Sequence, residues 1–310
     1  MSIVSPKSAP AAQEERAVIQ ALMQSASVEM TVHDARELHA CRALLPPGTP
    51  VYVSFLPKQT WTQSVDTAAA VRAAGFEPIP HLPARELESR AQLAQVLGDL
   101  RRAANVRRLL LIAGDRAMPR GPLGSSAEVI DTGLLQACGI EAVAFAGHPE
   151  GSPRIAPGAL RAAERDKIEA ARRAGLAASF LTQFCFSAEP VIDWVRQLRA
   201  RGIDAPVVAG LAGPARLATL VRYATLCGVG PSLRALTGRS GALARLAGTH
   251  GPEPIVRALA RAAAAGALDL AGIHFFTFGG LARTCAWRQA AADGRFELLD
   301  ETFRVAADAN

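Results

Sequence analysis

LAASFLTQFCF, residues 176–186, is apolar through its first half and then stops abruptly at two polar side chains, Thr182 and Gln183. A strand covered on both faces reads as a continuous apolar run, so 177–182 is expected to be a buried parallel strand. Its carboxyl end is where polarity begins. In parallel α/β folds ligands gather at that end, because the loops there vary while the packed layers beneath them do not. Thr182 and Gln183 are therefore candidate site residues.

Working outward, the same pattern repeats in both directions. Apolar runs at 27–30, 51–55, 77–81, 108–113, 142–146, 177–182, 206–210 and 270–275 alternate with helical stretches at 34–44, 63–74, 88–104, 126–137, 159–174, 188–201, 214–226 and 280–292. Two extra helices are expected at 231–247 and 252–265, before the last strand. Strand–helix alternation implies a parallel sheet, and no GxGxxG follows any strand to mark an open dinucleotide-binding sheet. The fold class is α/β, a closed (β/α)8 TIM barrel, since about eight units over roughly 250 residues fit that architecture. Residues 1–14, rich in Ala, Pro and Ser, read as a flexible tail, with a helix from about 15 to 24 and a single barrel domain over 15–310.

Composition narrows the class of function. Half of the 310 residues are hydrophobic, enough for a large core, yet no run approaches the roughly 20 apolar residues that span a bilayer. The N-terminal segment also lacks the apolar core of a signal peptide, so the expectation is a soluble protein with no membrane partner. Five cysteines stand singly, without a CxxC pair, which points away from disulfides and structural zinc and towards a reducing cytoplasm. The net charge of +6 comes from arginines scattered singly or in pairs, with two tyrosines and three tryptophans as the only large polar aromatics. With neither a basic block nor a stacking platform, no nucleic-acid partner is expected. The excess charge suits a polyanionic small molecule equally well.

The expected strand ends present Glu29, Ser54, His81, Gly114-Asp115, Gly147-His148, Thr182-Gln183, Gly210, and His274 with Thr277. A Glu and an Asp on different strands suit a general acid and an electrostatic partner, and a Gln with hydroxyls suits the edge of a heteroaromatic ring. No metal ligand set stands out. Each residue also has a structural reading: Glu29 as an exposed carboxylate, Asp115 as a turn former, His81 as a hydrogen-bonded strand-end group. Gly228-Val229-Gly230-Pro231-Ser232 is either an anion-binding turn or a plain loop.

Taken in order, Val28-Glu29, Pro80-His81-Leu82, Ala113-Gly114-Asp115, Gly147-His148-Pro149-Glu150-Gly151 and Thr182-Gln183-Phe184-Cys185-Phe186 resemble methylenetetrahydrofolate reductase in its short bacterial form. The resemblance runs from about residue 27 to 290. It implies a flavoprotein of one-carbon metabolism and methionine biosynthesis, holding FAD and exchanging a hydride between NADH or NADPH and 5,10-methylenetetrahydrofolate, which becomes 5-methyltetrahydrofolate. By that resemblance Glu29 is the general acid and Asp115 tunes the flavin. Ser54, His81, Gly114, Asp115, Ser126, Ala146 and His148 surround FAD, while Gln183, Tyr223 and Phe276 join Glu29 around the folate. A symmetric homo-oligomer is compatible with the fold, although no sequence stripe selects an interface.

The chain departs from the family pattern mainly where a diphosphate would lie. Ala113 stands for an Arg, His148 for a Tyr, Ser152 for a His, Ala171 or Arg172 for a Lys, and Ser187 for an Asp. Two readings stay open: a flavin-dependent folate oxidoreductase, working in either direction, or a folate-binding or partner-dependent barrel that no longer holds FAD tightly. An unrelated lyase or aldolase barrel fits poorly, because Lys58 and Lys167, the only lysines after the tail, do not lie deep in a strand.

Overall fold

The computed structural model describes residues 9–230 and 249–306. Eight parallel strands close into a barrel: β1 Ser27–Met30, β2 Pro50–Val53, β3 Glu77–Pro83, β4 Arg108–Ile112, β5 Ala142–Gly147, β6 Ala177–Thr182, β7 Val207–Ala212 and β8 Gly272–Phe276. Each pairs with the next in the chain, and β8 closes on β1 through Ser27↔His274 and Val28↔Phe275. This is the (β/α)8 barrel expected from the alternation of strands and helices.

Period-two alternation divides the strand side chains between two apolar cores. Tyr52, Ile79, Leu110, Ala144 and Leu181 fill the barrel interior, with Ile112 and Val208 against them. Their neighbours Val51, Val53, Leu109, Leu111, Val143, Phe145 and Phe180 belong to the larger core beneath the helices. Cross-strand register then carries the inward face upward and around. Glu29 lies beside Tyr52, His81 beside Leu110, and Ser27 beside His274. All four polar side chains, Ser27, Glu29, His81 and His274, therefore point into the barrel.

Several helices differ from the expected pattern, each for a local reason. The stretch read as one helix over 126–137 breaks into Ser126–Asp131 and Leu134–Ala137, because Gly133 takes φ +73, a left-handed conformation that glycine adopts without a Cβ clash. The stretch at 34–44 is a 3-10 turn, Val32–Glu37, followed by a short helix, Leu38–Cys41. Thr31 caps that turn, and the Asp34 carboxylate accepts from the Thr31 N–H at 2.7 Å and its hydroxyl at 2.8 Å. The N-terminal helix begins at Ala9 rather than near 15, so 9–14 is helical rather than a flexible tail. Helix Glu253–Ala264 precedes β8 as expected. The helix read at 231–247, the end of the Gly228–Ser232 motif and residues 1–8 lie outside the described residues.

At the mouth, β6 and β7 approach closely. The Gly210 N–H donates to Thr182 Oγ1 at 2.8 Å, and a Cβ on Gly210 would stand 2.1 Å from the Thr182 carbonyl oxygen and 2.7 Å from the Phe276 ring. Thr182, completely buried, is thus committed to the barrel wall. Gly210→Ala should cost about 1–3 kcal/mol through overpacking. Thermal melts of the pair would show it, and equal melting temperatures would mean the wall yields freely.

Candidate active site

The carboxyl ends of β1, β2, β3 and β8 converge on Glu29. The Thr277 hydroxyl donates to the Glu29 carbonyl at 3.0 Å and fixes the end of β1. Within the barrel, Glu29 Oε2 lies 3.4 Å from His81 Nε2 and 3.9 Å from His274 Nε2. These three atoms are sealed from water and have no hydrogen-bond partner among the described residues. Buried polar atoms are almost always paired in a folded chain, so three facing one another without hydrogen bonds make this cluster the candidate site.

Burial determines the charge state of this cluster. It raises the Glu29 carboxyl to about 7, helped by the negative charge of Asp34 and partly offset by the nearby Ser54 hydroxyl. It lowers His81 to about 4 and holds His274 well below the usual imidazole value, where proximity to His81 adds to the effect. Tyr52, packed edge-on to His274 with ring centroids 4.7 Å apart, is likewise pushed up and stays neutral. The site therefore holds one carboxyl poised near neutrality between two uncharged imidazoles, an arrangement suited to general acid–base work.

An aromatic wall stands beside this cluster. Phe276 on β8 meets His274 edge-on at 4.9 Å and Phe184 at 5.7 Å, and Phe184 meets Phe278 at 5.1 Å. Tyr223, from helix Leu217–Cys227, stacks on Phe278 at 4.3 Å with the rings 19° apart. Phe278 holds φ +50, costly for a bulky side chain and the kind of backbone strain that gathers at functional sites. Gln183 lies half-buried just after β6, its Oε1 accepting from the Phe184 N–H at 3.1 Å.

The remaining residues singled out from sequence lie farther round the mouth. Asp115 follows β4 with its side chain 95% exposed and faces Arg154 at 3.5 Å. His148 is half-buried after β5, lowered by burial and by Lys167, while the buried Glu164 pulls the other way. Ala146 is half-buried near the end of β5. Gly114 turns the chain at φ +92. Ser126 is buried, with its Oγ unpartnered among the described residues. Glu29, Ser54 and His81 are brought together, and so are Tyr223 and Phe276 through Phe278. Asp115 is not drawn into that cluster. Ser27, Tyr52 and Phe278 carried no role in the sequence reading, and His274 was noted only as a strand end. The alternation Ser27, Val28, Glu29 was the available signal, since it puts Ser27 on the face of Glu29. A separate surface groove of about 420 Å3, lined by Arg161, Arg165 and Arg201, lies away from these residues.

Fold and site together define a (β/α)8 barrel with an acid–base cluster at the carboxyl ends of its strands. No protein-family model matches the chain. Among solved structures, an uncharacterized protein from Clostridium thermocellum that binds two copies of 5-methyl-5,6,7,8-tetrahydrofolic acid superposes with a TM-score of 0.54, at 10% identity, over 86% of this chain and 92% of that one. Oxaloacetate acetylhydrolase gives a TM-score of 0.47 at 12% identity, over 87% of this chain and 81% of that one. At this identity the first likeness speaks to the fold. Among the described residues, no helix is long and apolar enough to cross a membrane, and no His, Cys, Asp and Glu group is arranged to hold a metal ion.

Proposed function

We propose that this barrel binds a tetrahydrofolate derivative and interconverts 5,10-methylenetetrahydrofolate and 5-methyltetrahydrofolate with a flavin and NAD(P)H. The observation that carries the reading is Glu29, a carboxyl raised to about 7 between two neutral imidazoles. Opening the methylene bridge requires a proton on a weakly basic nitrogen, and a carboxyl half-protonated at neutral pH can supply one. Gln183 offers an amide to the pterin edge, and the Tyr223–Phe278 stack offers faces for a flat ring. The folate-binding barrel from C. thermocellum supports the same substrate class.

Residues on the β2–β4 side fit a flavin. Ser54 is buried and His81 half-buried beside Glu29, and the Ser126 Oγ is a buried hydroxyl without a partner among the described residues. Ser54, His81, Gly114, Asp115, Ser126, Ala146 and His148 would hold FAD, which when bound supplies the hydride relay between nicotinamide and folate. A second reading, a folate-binding barrel without tight FAD, is favoured by one observation: Asp115 faces Arg154 in solvent instead of the Glu29 cluster.

A visible spectrum separates the two. Protein reconstituted with FAD should show flavin absorbance that bleaches under anaerobic NADH or NADPH and returns on adding methylenetetrahydrofolate. A colourless protein that still binds 5-methyltetrahydrofolate in calorimetry would overturn the oxidoreductase reading in favour of the second.

A further inference from the structure

His274 enters the function proposed above only as a neutral neighbour of Glu29, and Ser27 not at all, yet both lie inside the barrel against its acid. They face each other across the β1–β8 seam, with Ser27 Oγ 2.9 Å from His274 Nδ1. His274 is completely buried and Ser27 nearly so. A neutral imidazole carries one N–H, and its position is set by what the other nitrogen meets. Among the described residues, Nδ1 is the only hydrogen-bond partner of the Ser27 hydroxyl. If Nδ1 carried the proton, the buried Ser27 O–H would have no acceptor, which is costly. The hydroxyl therefore donates to Nδ1, and the ring proton sits on Nε2, facing Glu29 Oε2 at 3.9 Å.

We propose that Ser27 and His274 are positioning residues: Ser27 fixes the tautomer of His274, and the resulting Nε2–H is aimed at Glu29 Oε2 so that the carboxyl carries its own proton on the other oxygen. Oε2 is the walled-off atom, while the side chain as a whole keeps 16% of its surface open, so the proton is held towards the mouth. The inference rests on Glu29 being the acid of the proposed reaction. The groups facing Glu29 are Tyr52 and Ser54 on β2, His81 on β3, His274 on β8, Asp34 after β1, and Cys227 at the end of its helix. Burial keeps both imidazoles and Tyr52 uncharged, which leaves Asp34 as the neighbouring charge, and the Ser54 hydroxyl and the His274 Nε2–H as polar groups that favour the carboxylate.

The test needs neither flavin nor folate, so it stands or falls separately from the reaction. In protein labelled with 15N-histidine, His274 should show a protonated Nε2 and a bare Nδ1; the opposite tautomer overturns the proposal, whatever becomes of any variant. In 13C-glutamate-labelled protein, the Glu29 carboxyl should titrate near pH 7. His274→Phe fills the space without the N–H and should raise that midpoint by about 1 pH unit, a tenfold change in proton affinity. Ser27→Ala should raise it in the same direction, and Ser27→Thr should restore it. An unmoved or lowered midpoint in His274→Phe, or a Ser27→Thr variant that behaves like Ser27→Ala, refutes the role.

Discussion

Glu29→Gln is expected to melt above the parent protein at pH 8 and with it at pH 4, while losing about 10²–10⁴-fold in turnover of the proposed reaction. The sign comes from counting protons. Burial raises the Glu29 carboxyl from 4.5 to about 7 in the folded chain, so between those values the folded state holds a proton that the unfolded chain has released. Stability associated with Glu29 is therefore fully present below pH 4.5 and is lost as pH rises to about 7. Above pH 7 the fold carries a buried carboxylate, and the loss amounts to about 3 kcal/mol. The amide has no charge to desolvate at any pH, so the variant escapes the loss. It also has no acidic proton, so transfer to the substrate nitrogen fails. Melts of both proteins at several pH values decide the first half: parallel curves across the range would mean that Glu29 is not the buried acid described here. Turnover in the parent should correspondingly decline as pH rises through about 7, in the direction that needs a protonated Glu29.

The carboxyl-end rule nominates Glu29, Ser54 and His81, which the fold brings together, because strand ends are written in the sequence as a change from apolar to polar. β6 stops at Thr182, where the apolar run stops. The start of β8 was less legible. Leu270 and Ala271 are apolar and read as strand, but regular pairing begins at Gly272. The break in the helix expected at 126–137 is hidden in the sequence because Leu134, Leu135 and Ala137 are good helix formers, and their propensity masks the turn at Gly133. What sequence could not supply was the company each residue keeps. His274 and Ser27 stand 247 positions apart and meet only because β8 closes on β1. Asp115 reads as a partner for Glu29 by its place after β4, yet the turn at Gly114 leaves its carboxylate in solvent, facing Arg154. Nothing local in Gly-Asp-Arg distinguishes those outcomes.

The second large effect concerns the brace around β8. Helix Ala9–Gln24 packs on helices Glu253–Ala264 and Leu281–Ala292, which flank β8 in the chain. Arg16 donates to the Gly294 and Phe296 carbonyls at 2.9 and 2.8 Å, and Arg288 donates to the Gln24 carbonyl at 2.5 Å. At the centre, Glu15 and Arg257 form an ion pair in which each is only 4% exposed, and Arg261 adds a contact to the same carboxylate at 3.0 Å. Removing one partner of such a pair leaves a buried charge uncompensated, which costs about 3–5 kcal/mol. Arg257 also donates to the carbonyls of Leu299 and Thr302, so in Glu15→Gln its guanidinium keeps some partners and the cost falls near the lower figure. Even that is a large part of the roughly 5–15 kcal/mol that holds a domain folded. Urea unfolding should show a clear drop in midpoint for Glu15→Gln, while the carboxyl titration of Glu29 stays near 7, because the network lies outside the barrel wall. An unchanged urea midpoint would mean that apolar packing alone holds the helix. A shifted Glu29 titration would mean that the brace reaches through β8 to His274, making the outer helix layer part of how the acid is tuned.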